Sequence, residues 1–203
     1  MGLEGERHGQ MVCVLGVDPA VAGATGYGVV EVVGGSARML RYGALRLPAR
    51  APLAERLCGI HQVIADLVAE FEPHAVAVEA VFAALNVRTA IKLAEVRGVI
   101  LLAAAQAGVP AYSYSPREVK ASVAGYGAAS KQQMQQMVGA QLGLGEPPEP
   151  PDAADALAVA LCHAYACLAR KRVAEAMGPQ IRATMTPKEA GNVSRDRRVQ
   201  TFK

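Results

Sequence analysis

An apolar run from Met11 to Val17 that ends on Asp18, and a chain that then turns straight back into a second apolar stretch, set the strongest limit on this fold. Seven residues without a polar face predict a strand buried on both sides. Pro19 and the glycines Gly23, Gly26 and Gly28 mark a turn into a second strand over 27–33. Gly34-Gly35 predicts a hairpin into a third strand over 37–47. Leu53, Leu57, Ile60, Ile64, Leu67 and Val68 then recur at helical spacing, which predicts an amphipathic helix over 52–71 that Pro73 ends. A fourth strand over 75–78 terminates at Glu79, and an apolar-rich helix follows over 86–107. A short fifth strand over 111–114 precedes helices over 116–121 and 130–142, with the Gly125-Tyr126-Gly127 loop between them. A Pro/Gly-rich linker leads to a last helix from Pro151 to about Arg172. Three strands followed by alternating helices and strands predict an α/β fold: a mixed five-stranded sheet flanked by helices, antiparallel at its start.

At 203 residues the chain fits one domain with a sizeable core, placed at 11–172. Aromatics are only 4% and Trp is absent, so that core must come from Ala, Val, Leu and Ile. Residues 1–10 read as a polar N-terminal extension and 173–203 as a basic tail, both expected to be disordered for lack of large apolar side chains. No apolar run approaches the ~18–20 residues of a membrane span, and residues 1–10 lack the apolar stretch of a signal peptide, so a cytoplasmic protein without a membrane partner is expected. Cys13, Cys58, Cys162 and Cys167 form no C-x-x-C pair, which argues against a zinc ribbon and predicts buried, reduced thiols. The net charge of +3 hides its distribution. From Arg170 onward the chain carries +6, while the remainder carries −3. Between Phe82 and Lys131 six bases (Arg88, Lys92, Arg97, Arg117, Lys120, Lys131) meet only Glu95 and Glu118. A basic belt within a mildly acidic domain is a pattern suited to nucleic acid.

Asp18 and Glu79 each follow a strand, and ligands of open α/β sheets gather beyond the carboxyl ends of strands. Asp152 and Asp155, three apart at the start of the last helix, share one face of its first turn. Taken singly, an acid after a strand is a solvated turn residue and an acid at a helix start is a cap. Together, four carboxylates at one place would repel unless a divalent cation neutralised them, and hard oxygen ligands suit Mg²⁺ or Mn²⁺. A pair of such ions ~3.5–4 Å apart supports hydrolysis of a phosphodiester without a covalent intermediate.

Leu15-Gly16-Val17-Asp18-Pro19 with Thr25-Gly26-Tyr27-Gly28-Val29 resembles the opening of the RuvC family of Holliday-junction resolvases. Val78-Glu79-Ala80-Val81-Phe82 with Asn86, Lys92-Leu93 and Arg97-Gly98 resembles that family's second block. Pro116, Val119-Lys120, the glycine loop and Ser130-Lys131-Gln132-Gln133 resemble its third, and Asp152-Ala153-Ala154-Asp155-Ala156-Leu157-Ala158 its last. The resemblance implies a ribonuclease-H-like fold, a homodimer, and paired symmetric nicks in four-way DNA junctions, with Mg²⁺ (or Mn²⁺), during recombination and repair. It implies metal-binding catalytic roles for Asp18, Glu79, Asp152 and Asp155, and places Lys120 and Lys131 near the scissile phosphate. It further implies DNA contacts for Phe82, Asn86, Arg88, Lys92, Arg97 and Arg117, and association with a branch-migration motor. Two departures stand out: Ala20 replaces a usual glycine after Asp-Pro, and Ala80 a usual polar or acidic residue. The long apolar helix over 86–107 is the expected dimer contact. The rival readings are an actin-like ATPase, for which a second domain is lacking, a nuclease of RNA or RNA–DNA hybrid, and a junction-binding protein without catalysis.

Overall fold

The computed structural model of the chain describes residues 11–20, 23–48, 50–80 and 86–176. The expectations for 1–10 and for 177–203 lie outside the described residues. In chain order the elements are β1 (Met11–Asp18), β2 (Thr25–Val33), β3 (Ser36–Leu45), α1 (Leu53–Phe71), β4 (Ala75–Glu79), α2 (Val87–Gln106), β5 (Ala111–Tyr114), α3 (Pro116–Ala124), α4 (Lys131–Gln141) and α5 (Pro151–Ala176). The last helix runs past its expected end at Arg172, so residues 173–176 belong to α5 and not to the tail.

One five-stranded sheet has the order β3-β2-β1-β4-β5. The β1–β2 and β2–β3 pairs are antiparallel, whereas β4 runs parallel to β1 and β5 parallel to β4. Alternation along β1 divides the interior in two. Cys13, Leu15 and Val17, with Val76 and Val78 of β4, pack against Ile60 and Ile64 of α1 and Val96 and Ile100 of α2. Val12 and Val14, with Val30, Val32 and Ala77, pack against α5, α3 and α4 on the opposite face.

On that second face α5 lies almost on the backbone of β1 and β2. A Cβ on Gly16 would stand 2.2 Å from Ala156 O, one on Gly26 1.9 Å from Asp152 O, and one on Gly28 2.7 Å from the Leu157 side chain. Gly26 and Gly28 therefore belong within β2, not to the turn that glycine suggested. Their use is the absence of a side chain where a helix must come close. The facing side of α5 is correspondingly small, with Ala153, Ala154, Ala156, Ala160 and Ala164 all buried. α5 is long and apolar enough to cross a membrane by length and composition, but 61% of that stretch is buried within the protein. It is a core helix, and its hydropathy reflects that position.

Ala20, which follows Asp18-Pro19 after β1, has no positive φ. Its N–H donates to Thr25 Oγ1 at 3.4 Å. Among the described residues the only non-glycine with positive φ is Glu72, which ends α1 in a left-handed cap, so no glycine is required at Ala20. Two of the cysteines depart from expectation: Cys13 and Cys162 are buried, but Cys58 is exposed and Cys167 lies between.

Candidate active site

The strand register brings the first two acids together. Val17 pairs with Val78 between the parallel strands β1 and β4, so Asp18 and Glu79 are the next residue on each, side by side at the carboxyl ends. Both share the alternation of Gly16 and Ala77 and face α5. Asp18 also pairs with Gly26 of β2, on which the Asp152 carbonyl rests. The first turn of α5, bearing Asp152 and Asp155, is thereby set beside Asp18. Three glycines and a small-residue helix thus allow acids from three elements to gather at one end of the sheet.

Two capped helices bring in the lysines. Ser115 and Glu118 form a capping box at the start of α3, and Ser130 and Gln133 form one at the start of α4. The Ser130 cap fixes Lys131 as the first residue of α4. Val119 and Val123 are buried beneath α3, which holds Lys120 toward the acids. Lys131 Nζ donates to Asp155 Oδ2 at 3.0 Å. Glu79, Lys120, Lys131 and Asp155 line a hollow of about 220 Å³, with Pro116, Val119, Met134 and Ala158 as its remaining wall. Asp18 and Asp152 stand outside that lining.

Electrostatics bind the four acids into one group. Burial, then the charges of Glu79, Asp155 and Asp152, push the Asp18 carboxyl up to about 8, against a weaker downward pull from Lys131. Burial and Asp155 also push Glu79 up, opposed by Lys120 and Lys131. The hydrogen bond to Asp155 raises Lys131. Among the described residues no three His, Cys, Asp or Glu side chains are already drawn into a closed cage for an ion. The residues nonetheless fit a divalent cation: they are hard oxygen donors, their mutual repulsion is what a cation would relieve, and one ammonium already neutralises Asp155.

The basic belt divides. Arg117 is exposed on α3 and Arg88 in the first turn of α2. Arg97 is half-buried and donates from Nη2 to Ser113 Oγ of β5 at 2.6 Å, so its guanidinium is engaged with the protein. Lys92 lines a separate hollow with Leu53, Arg56, Leu57, Ile60 and Val96, between α1 and α2 and on the opposite side of the sheet from the acids. Asn86 caps α2, its side-chain oxygen accepting from Thr89 N at 2.9 Å. Phe82 lies outside the described residues. The glycines Gly16, Gly26 and Gly28 were not expected as site-forming residues. Their spacing of two within 26–28 was the available sign of one strand face stripped of side chains.

The family model for "Crossover junction endodeoxyribonuclease RuvC" matches residues 14–163. A crossover junction endodeoxyribonuclease RuvC of Desulfitobacterium hafniense is 51% identical over 75% of this chain and 92% of its own length. One of Chloroflexus aggregans is 50% identical over 74% and 92% respectively. Thermus thermophilus RuvC, solved in complex with Holliday junction substrate, superimposes with a TM-score of 0.73 at 41% identity, covering 78% of this chain and 96% of that one. The mixed sheet and flanking helices are thus those of a ribonuclease-H-like domain. With the matched model spanning both strand-end acids and both acids of α5, the chain belongs to the RuvC family of crossover junction endodeoxyribonucleases.

Proposed function

We propose that this chain resolves four-way DNA junctions by metal-assisted hydrolysis of phosphodiester bonds, with Asp18, Glu79, Asp152 and Asp155 holding the metal. The observation that carries this reading is the meeting of acids from β1, β4 and α5 at one end of the sheet, beside two lysines. Bound by these four carboxylates, Mg²⁺ or Mn²⁺, as one or two ions, would supply Lewis acidity for the attack of water. The protein's own residues do the rest. Asp18 and Glu79 are fixed by the sheet and Asp152 and Asp155 by a buried helix, so the ligands are held on rigid elements. Lys120 and Lys131 border the hollow, where a phosphate would find both ammonium groups. Lys131 partly neutralises Asp155 through their ion pair, and would be free to turn to the phosphate were that carboxylate to hold a metal. Arg88 and Arg117 are exposed and suited to contacts with the DNA backbone. Lys92 and Arg97 are suited to it only with the duplex wrapped round to α2, and Phe82, three residues after Glu79 in the sequence, is proposed to stack at the crossover.

We further propose a homodimer through α2, cytoplasmic action during recombination and repair, and work beside a branch-migration motor. The test is cleavage of a labelled synthetic four-way junction, with linear duplex and RNA–DNA hybrid as controls, with and without Mg²⁺. Paired nicks in opposing strands of the junction, dependent on the metal, are expected. Preferential cutting of the hybrid would move the assignment to a ribonuclease, and tight binding without cutting in either divalent metal would leave a junction-binding protein.

A further inference from the structure

The loop between α3 and α4 carries an aromatic side chain that the hydrolysis does not use. Among the described phenylalanines and tyrosines Tyr126 alone is exposed, at 46%. Aromatics make up only 4% of this chain, and a ring of that size ordinarily contributes most when buried. The loop holds the ring in place. Gly125 ends α3 at φ +83°, a left-handed cap that turns the chain back along the helix. Gly127 then packs on Arg117, since a Cβ there would stand 3.3 Å from Arg117 O. Ala129 anchors the far side of the loop in the core. Tyr126 Oη donates to Gln133 Oε1 at 2.7 Å, and the same oxygen accepts from Ser130 N at 2.9 Å within the capping box of α4. The residue after Ser130 is Lys131, which meets Asp155 and lines the hollow with Lys120. The ring therefore stands at the rim of the candidate active site, between the start of α4 and the exposed Arg117 of α3.

The hydrogen bonds decide which part of this side chain is on offer. A phosphate oxygen only accepts, and the one O–H of Tyr126 is already given to Gln133. The hydroxyl is thus not a phosphate ligand. What remains toward solvent is the apolar ring. On nucleic acid, the partner of an exposed aromatic face set among cations is the face of a base. Four-way junctions present such faces where strands exchange, because base stacking is interrupted there.

We propose that Tyr126 is a substrate-contacting residue whose ring stacks on a base beside the cut, holding that strand over the hollow lined by Lys120 and Lys131. This rests on the junction-cutting function proposed above and adds to it a base contact on the α3–α4 side of the site. Its contribution is binding and placement of the strand, with no part in the proton or metal chemistry.

The test uses the full-length chain and a set of four-way junctions, each with 2-aminopurine at a different position flanking the crossover. The fluorescence of this base analogue falls when it stacks, and EDTA keeps the bound junction uncut. Wild type should quench the probe at one or two neighbouring positions. Y126F keeps the ring and drops the hydroxyl, and should quench as wild type does. Y126A should not quench there, while its circular dichroism stays that of wild type. Junction affinity by anisotropy, and cutting in Mg²⁺ at subsaturating protein, should fall about tenfold in Y126A and recover in Y126F. Equal quenching by wild type and Y126A at every position would overturn the proposal. So would a Y126F as impaired as Y126A, because the tie to Gln133 would then be what matters. A wild type that cuts no junction, with quenching still lost in Y126A alone, would remove the nuclease function and leave the base contact standing.

Discussion

Asp18 is held where a carboxylate is least comfortable, and the physical cost of that position is measurable. Its ordinary value is 3.8, and burial together with Glu79, Asp155 and Asp152 pushes it up to about 8. The metal-free folded chain therefore keeps a proton that the unfolded chain gives up near pH 4. Stability linked to this proton is fully present below that pH and is lost as the pH rises from about 4 to about 8. Glu79 is raised too and acts in the same direction. In EDTA the melting temperature should fall across this window, and Mg²⁺ should restore it by neutralising the same charges. Asp18→Asn removes the ionisation, so its melting curve in EDTA should be flatter with pH and its Tm higher than wild type near pH 8. An unchanged slope would show that Asp18 does not carry the strain. The same variant should abolish junction cutting while retaining junction binding, measured by gel cleavage and mobility shift on one preparation. Loss of binding as well would instead give Asp18 a structural role.

The acids meet only because elements can touch, and here glycine decides. Gly26 has no room for a methyl group: a Cβ would fall 1.9 Å from Asp152 O, a backbone atom with no flexible side chain to yield. Overpacking by a methylene ordinarily costs ~1–3 kcal/mol, and a clash with the helix backbone should sit at or above that range. Gly26→Ala should thus lower the unfolding free energy by about 3 kcal/mol or more in a urea titration, and weaken Mg²⁺ binding by calorimetry because α5 carries Asp152 and Asp155 away from Asp18. Unchanged metal affinity would mean that α5 does not set the ligand positions. Periodicity and punctuation made the ten elements and their order legible from sequence. The acids were legible as a set because Asp18 and Glu79 each close an apolar run, while Asp152 and Asp155 share one face at the start of the last helix. Close approach between elements was not, because a glycine needed for a turn and one needed for a contact look alike in one dimension. Engagement was equally hidden: Arg97 reads as a surface base until its partner Ser113, brought near by the fold, is seen.

At the scale of the whole molecule, the open question is how one active site per chain produces paired cuts. Val87, Ile91 and Leu102 are 74%, 56% and 51% exposed on α2, and Ala94, Gly98 and Ala105 between and beyond them are exposed as well. Spacings of three and four along one side make this a continuous apolar stripe, which a solitary surface helix would not ordinarily present to water. α2 follows β4, so the stripe begins eight residues after Glu79 in the chain. Two copies meeting through it by an isologous contact would carry their sites in a fixed symmetric relation, suited to two strands of a nearly symmetric junction. Replacing Ile91 and Leu102 together with aspartate puts charges on both sides of the two-fold axis without touching the carboxylates or lysines. The doubly substituted chain should sediment as a monomer at micromolar concentration while keeping its circular dichroism. On a supercoiled plasmid bearing an extruded cruciform, the wild type should yield mostly linear product, because two nicks fall within the lifetime of one complex. The monomer should yield nicked circles, since after one cut the supercoiling is released and the cruciform is reabsorbed before a second encounter. If the substituted chain remains a dimer, the contact lies elsewhere; if it is a monomer yet still linearises the plasmid, pairing of the cuts does not depend on pairing of the chains.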